Sequence, residues 1–180
     1  MTAALRQKAQ RIRLLLFDVD GVLTDGGIIL HPDGAEAKRF DIRDGTGIVW
    51  AQRAGLLTGV LSARASAATA QRTAQLGMAI VYQGVPSKAE AFDEILTTHN
   101  LRPDEVAYMG DDLLDLPVLQ RVGLSAAPAD AVAEVRRRVD FVAPSRGGAG
   151  AARDLIETVL QAQDRWQALV DGYAGEDGRS

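Results

Sequence analysis

Asp18 and Asp20 flank a single valine, immediately after the apolar run Leu14-Leu15-Leu16-Phe17 and before Gly21. Two carboxylates so close repel each other unless a cation or a proton separates them, so the pair suggests a metal or shared-proton site. A second acidic group, Asp111, Asp112 and Asp115, follows the apolar run 106–109 and Gly110 in the same way. Ser62 follows a third apolar run, and Lys88 comes two residues after Pro86. A buried carboxylate can act as a nucleophile and form an acyl phosphate. Phosphoryl transfer then needs little more than alignment and neutralised phosphate oxygens, which a hydroxyl, an ammonium and a hard divalent cation supply. Each residue also has a plainer reading. Asp-x-Asp-Gly is an ordinary turn, Ser62 a helix N-cap, Lys88 a solvated first-turn lysine, and 111–115 a run of helix-start acids.

The elements that position these residues decide between the readings. Residues 14–17 read as a strand buried on both faces, as in a parallel sheet covered by helices. Five more short apolar runs, 56–61, 79–82, 106–109, 123–126 and 140–143, read as further strands. Helical stretches are expected at 48–54, from Ser62 to about Leu76, at 89–98 with Ser87 as N-cap, in a short piece ending at Val122, and at 129–138. A last helix carries Leu155, Ile156, Val159, Leu160, Trp166, Leu169 and Val170 largely at helical spacing and continues to Tyr173. His31-Pro32-Asp33-Gly34 between two extended runs makes 27–40 a hairpin inserted beside Asp18 and Asp20. The expectation is an α/β fold: a doubly wound parallel sheet in one domain over 1–173, with 174–180 a frayed tail. Right-handed crossovers would gather the loops after the strands on one edge. Those loops carry Asp18 and Asp20, Ser62 and Arg64, Lys88, and Asp111, Asp112 and Asp115. Four separate stretches converge, and that convergence defeats the turn reading.

Composition narrows the partners. A chain of 180 residues, 47% apolar and 24% charged, has enough material for one well-buried core. Its net charge of −4 offers no broad basic surface, which argues against nucleic acid. Cysteine is absent, which removes disulfides, thiolate nucleophiles and thiolate metal sites. His31 and His99 lie far in sequence from the acidic groups, so acid–base chemistry falls to carboxylates. Residues 1–13 lack the apolar centre of a signal peptide and no stretch approaches a membrane span. A cytoplasmic protein without a membrane partner is expected.

Asp18-Val19-Asp20-Gly21-Val22-Leu23-Thr24-Asp25-Gly26, Ser62, Lys88 and Gly110-Asp111-Asp112-Leu113-Leu114-Asp115 together resemble the four motifs of the haloacid dehalogenase superfamily of phosphohydrolases. Arg43-Asp44-Gly45 with Gly47, Tyr82-Gln83-Gly84, and Gly147-Gly148-x-Gly150-Ala151-x-Arg153 narrow the resemblance to its small capless branch of 3-deoxy-D-manno-octulosonate (KDO) 8-phosphate phosphatases. The resemblance implies a Mg2+-dependent phosphatase, with Mn2+ or Co2+ as alternatives. Asp18 would be the nucleophile and Asp20 the acid and base; Ser62 and Lys88 would hold the phosphoryl group. Asp18, the backbone carbonyl of Asp20 and Asp111 would bind the metal, supported by Asp112 and Asp115. Asp41, Ile42, Arg43, Asp44, Gly45, Arg64, Arg72, Lys88 and Arg153 would meet a phosphorylated sugar acid, whose carboxylate suits the arginine fork. The resemblance also implies a homotetramer in which a neighbour's hairpin covers each site.

Three features depart from that pattern. Ala63 replaces a usual glycine and would be strained at positive φ. Val49 stands where a basic residue is expected, and the last helix is long. Three alternatives remain: the same chemistry on a nine-carbon 2-keto-3-deoxy sugar acid phosphate, a non-catalytic oligomerisation module, and a phospho-accepting receiver. A receiver carries its acceptor Asp after the third strand, where this chain reads Ile80-Val81-Tyr82-Gln83-Gly84.

Overall fold

A computed structural model describes residues 1–176. In chain order the elements are α1 (Ala3–Gln10), β1 (Leu14–Phe17), β2 (Ile29–Leu30), β3 (Glu36–Ala37), α2 (Ile42–Arg53), β4 (Leu57–Ser62), α3 (Ala67–Gln75), β5 (Ile80–Gln83) and α4 (Lys88–His99). They continue with β6 (Val106–Met109), α5 (Leu116–Leu119), β7 (Leu124–Ala127), α6 (Ala133–Arg136), β8 (Phe141–Val142), α7 (Ala151–Ala162) and α8 (Trp166–Glu176). The main sheet is parallel throughout, in the order β5-β4-β1-β6-β7-β8. The chain thus leaves β1 to one side and later returns to its other side. Such a reversal of strand order opens a crevice at the carboxyl ends of the central strands.

Every residue of β1 is buried because both faces of the sheet are covered. Leu15 and Phe17 join the cluster formed with α2 and α7, which includes Ile48, Leu155, Ile156 and Val159. Leu14 and Leu16 pack on the other side with Phe92 and Ile95 of α4 and Val118 of α5. At roughly 1.5–3 kcal/mol for each large apolar side chain removed from water, these two layers fix the strand in place. The two-stranded hairpin of β2 and β3 forms as its turn residues imply, with the His31 N–H donating to the Ala35 carbonyl.

Several boundaries differ from the sequence expectation, each for a local reason. α2 starts at Ile42 rather than 48 because the Asp41 carboxylate accepts the Arg43 N–H at 2.6 Å and caps it. Gly45 and Gly47 therefore lie inside a helix. A Cβ at Gly47 would stand 2.9 Å from Arg153 Cδ, so the missing side chain lets α2 and α7 approach closely. Ser62 is the last residue of β4, not a helix cap, and α3 begins only at Ala67. α6 shrinks to one turn because the Ala129 N–H is taken by the Ser145 carbonyl and the Val132 N–H by the Asp111 carbonyl. The last helix is two helices, broken where Asp164 adopts φ 57°. α1 has no counterpart among the expected elements; it is a mostly exposed helix capped by Thr2. Its end is tied down by Gln163 Nε2, which donates to the carbonyls of Ala9 and Ile12. Residues 174–176 of the expected tail belong to α8, and 177–180 lie outside the described residues. Among the described residues no helix is long and apolar enough to cross a membrane.

Candidate active site

Asp18 extends the ladder of β1 by one residue: its N–H donates to the Met109 carbonyl at 2.9 Å. This backbone bond sets the carboxylate at the crevice, where Lys88 Nζ stands 3.0 Å from Oδ1. Lys88 is the first residue of α4, held there because the Ser87 hydroxyl accepts the Glu90 N–H. A lysine at a helix N-terminus opposes the helix dipole. Two carboxylates offset that cost, since Lys88 also donates to Asp115 Oδ1 at 2.6 Å.

Asp115 is the anchor of the far wall. Its Oδ1 accepts Lys88 Nζ and the Tyr108 hydroxyl, both at 2.6 Å, and its Oδ2 accepts the N–H groups of Asp111 and Asp112 at 2.9 and 3.1 Å. With both oxygens so engaged, Asp115 shapes the loop that presents Asp111. Asp112 caps the following turn by accepting the Leu113 N–H at 2.7 Å. Gly21, at φ +86°, gives Asp111 its room: a Cβ there would fall 2.1 Å from Asp111 Oδ2.

Oxygens of Asp18, Asp111 and Asp115 lie within 4.8 Å of one another. Burial pushes the Asp18 carboxyl up to about 6, against the pull of Lys88 and with a further push from Asp115. Burial, Asp18 and Asp115 together push Asp111 up to about 8. Burial alone would lower Lys88, but the two carboxylates outweigh it and hold the ammonium above its ordinary range. Three carboxylates around one ammonium leave excess negative charge, and every donor atom is oxygen. That set fits a hard divalent cation.

Asp18, Asp20, Ser62, Arg64, Lys88 and Asp111 line one pocket of about 230 Å3, with Asp112 and Asp115 in its wall. Ser62 is buried and its Oγ accepts the Arg64 N–H at 3.2 Å. Among the described residues the non-glycine positions with positive φ are Asn100 and Asp164, so Ala63 carries no backbone strain.

The other expected substrate contacts lie around α2. Arg43 donates to Asp41 and to the Ala149 carbonyl. Ile42 is exposed, and Asp41 is the helix cap. Asp44 is buried and accepts the N–H groups of Gly150 and Arg153, which ties the glycine loop to α2. Arg72 packs over Gly45, where a Cβ would meet its Nη2 at 2.2 Å. The Arg153 guanidinium lies 3.9 Å above the Trp50 ring, with Nε on Glu157. In a single chain, then, the expected residues form two groups, and Arg64 is the arginine at the Asp18 pocket.

Three site residues escaped the sequence reading. Lys38, just after β3, has a side chain that is 1% exposed, and its ammonium lies between Asp20 Oδ1 and Glu36 Oε1. Glu36 Oε2 in turn accepts Arg64 Nη2 at 2.6 Å. The alternation of Glu36, Ala37 and Lys38 was the available signal, since residues two apart in a strand share a face. Tyr108 was hidden as one more apolar residue of β6.

A parallel sheet with a buried aspartate at the end of its central strand, opposite a lysine and a second acidic loop, defines a class. The chain belongs to the haloacid dehalogenase-like hydrolases, whose family model matches residues 58–155. Over 165 residues it is 41% identical to the 3-deoxy-D-manno-octulosonate 8-phosphate phosphatase KdsC of Escherichia coli strain B, covering 92% of this chain and 88% of that protein. It resembles the crystal structure of the phosphatase of the same name from Moraxella catarrhalis in complex with magnesium, phosphate and KDO. The TM-score is 0.93 at 31% identity, over 96% of this chain and 99% of that one. The cobalt-bound YrbI phosphatase of Haemophilus influenzae aligns with a TM-score of 0.86 at 38% identity, over 89% and 94% of the two chains.

Proposed function

We propose that this chain is a Mg2+-dependent phosphatase that converts KDO 8-phosphate to KDO and phosphate through an aspartyl phosphate on Asp18. The observation that carries the reading is the buried Asp18 carboxylate, paired to Lys88 at 3.0 Å and facing the pocket that Asp20 and Asp111 share. An Asp18 oxygen attacks phosphorus in line with the ester oxygen, and the P–O bond to the sugar breaks as the P–O bond to Asp18 forms. Asp20 gives its proton to the departing sugar alkoxide. It then takes a proton from the water that attacks the aspartyl phosphate, which releases phosphate and restores Asp18. Ser62 Oγ and Lys88 Nζ hold the phosphoryl oxygens. Asp18, the Asp20 carbonyl and Asp111 would hold the cation, which when bound neutralises charge on the phosphoryl group and nucleophile. Arg64 receives the sugar-acid carboxylate.

The pocket is shallow for a reaction that gains from excluding water. The exposed hairpin residues Ile28, Ile29 and Leu30 support assembly into a homotetramer in which each hairpin covers a neighbour's site. Composition supports a cytoplasmic location, with residues 1–173 working as one domain.

Phosphate release across a panel of sugar phosphates tests the reading. KDO 8-phosphate should exceed neutral hexose phosphates in kcat/KM, EDTA should stop turnover reversibly, and Asp18→Asn should abolish it. Preference for a nine-carbon sugar acid phosphate would reassign the substrate, and full activity in excess chelator would remove the cation.

A further inference from the structure

Lys38 is an unusual lysine. It belongs to no helix or strand of the main sheet, yet its side chain is 1% exposed. Covering an ammonium so completely is tolerated when anions surround it, and here two do: Asp20 through Oδ1, and Glu36 through Oε1 at 3.0 Å. Glu36 is itself gripped by Arg64, whose Nε stands 3.5 Å from Asp20 Oδ2. Asp20 Oδ2 is buried and has no hydrogen-bond partner among the described residues. The four side chains thus form a ring in which one oxygen of Asp20 is tied and the other, facing Arg64 Nε at 3.5 Å, makes no hydrogen bond.

From this geometry we infer that Lys38, braced by Glu36, is a positioning residue that aims Asp20 at the ester oxygen. The inference rests on the reading of Asp20 as acid and base. An aspartate side chain has two free torsions, and a carboxylate held through one oxygen has its second oxygen fixed in direction. Without Lys38 the nearest competitor is Arg64, whose fork favours both carboxylate oxygens at once. Asp20 would then turn toward Arg64, and its oxygens would be engaged away from the leaving group. Lys38 does not touch substrate in this scheme. The hairpin strand β3 therefore serves the chemistry of its own chain, apart from any contact with a neighbour.

The test compares esters that differ in leaving group and lack the sugar carboxylate, so that Arg64 contacts do not enter. Proton donation matters greatly for an alkoxide and little for p-nitrophenolate. Lys38→Met should lower kcat/KM for glycerol 3-phosphate relative to p-nitrophenyl phosphate by about ten- to a hundredfold, the scale of a small misplacement of a reacting group. Lys38→Arg, which keeps the charge, should restore most of that ratio. Glu36→Gln keeps the ammonium and removes its brace, so it should shift the ratio the same way by less; this variant carries the test if Lys38→Met does not fold. Asp20→Asn is measured beside them. Leaving-group sensitivity in Asp20→Asn with an unchanged ratio in Lys38→Met and Glu36→Gln would overturn the positioning role alone. Equal losses on both esters in Asp20→Asn would overturn the acid–base reading beneath it.

Discussion

Arg64 reaches the Asp18 pocket while its Nη2 is held by Glu36 at 2.6 Å, and it is 45% exposed. On the proposed reading Ser62 and Lys88 grip the phosphoryl group of any phosphomonoester, so discrimination between sugars falls to a group that meets the far end of the substrate. Truncating one partner of a desolvated arginine–carboxylate pair costs on the order of 2–5 kcal/mol. Arg64→Ala should therefore lower kcat/KM on KDO 8-phosphate by roughly 30- to several-thousand-fold, at about 1.4 kcal/mol per decade. The same variant should lose little on glycerol 3-phosphate, and steady-state kinetics on the two substrates check this. Asp18, Asp20, Ser62 and Asp111 were legible in sequence because each follows a short apolar run, and Lys88 because it opens the helix after the third strand of the sheet, so topology alone brings them together. Lys38 and Glu36 were not, because what a hairpin side chain touches depends on how the hairpin folds back. Asp115 read as metal support; its hydrogen bonds to Tyr108 and two backbone N–H groups depend on a loop path that no local pattern announces.

At the scale of elements, α2 and α7 show how a glycine can mislead. The helix was expected to begin only at 48, after Gly45 and Gly47, and glycine weakens a helix by about 1 kcal/mol relative to alanine. The pairing of α2 with α7 overrides that propensity, because the helices approach too closely at Gly47 for a side chain. Asp44 then sits buried in the joint, accepting the N–H groups of Gly150 and Arg153. Burial raises its carboxyl from 3.8 to about 6, though the Arg153 and Gly150 N–H groups pull it down. Between those values the folded chain binds more protons than the unfolded one, so the contribution of Asp44 to stability is greatest below pH 4 and is lost as pH rises through about 6. At about 1.4 kcal/mol per unit, the full change is on the order of 3 kcal/mol. Asp44→Asn should remove this slope, so denaturant titrations at pH 4 to 7 should show wild type losing more stability than the variant across that window. Parallel pH profiles would place the titration elsewhere. The paired strands 14–17 and 106–109 needed no such correction, because short runs buried on both faces leave one reading.

For the whole molecule, the hairpin is the exposed part that its own core does not explain. Ile28, Ile29 and Leu30 are 48%, 53% and 72% exposed. A charge at that face opposes apolar association without disturbing the sheet. Ile29→Asp should leave the far-ultraviolet spectrum close to wild type, shift the mass in light scattering toward a monomer, and lower activity in step. A fully active monomer at assay concentration would separate assembly from function.

The order of the sheet carries one more consequence. Ser62, Asp18 and Asp111 come from β4, β1 and the loop after β6, three neighbouring strands whose spacing of about 4.8 Å is set by backbone hydrogen bonds. The sheet therefore acts as a ruler for these three side chains, and on the proposed reading for the phosphoryl group they would meet, and side-chain change cannot easily recalibrate it. Arg64 stands outside that ruler. On the proposed reading, its exchange would alter the choice of sugar while the spacing of Ser62, Asp18 and Asp111 stays as the backbone sets it.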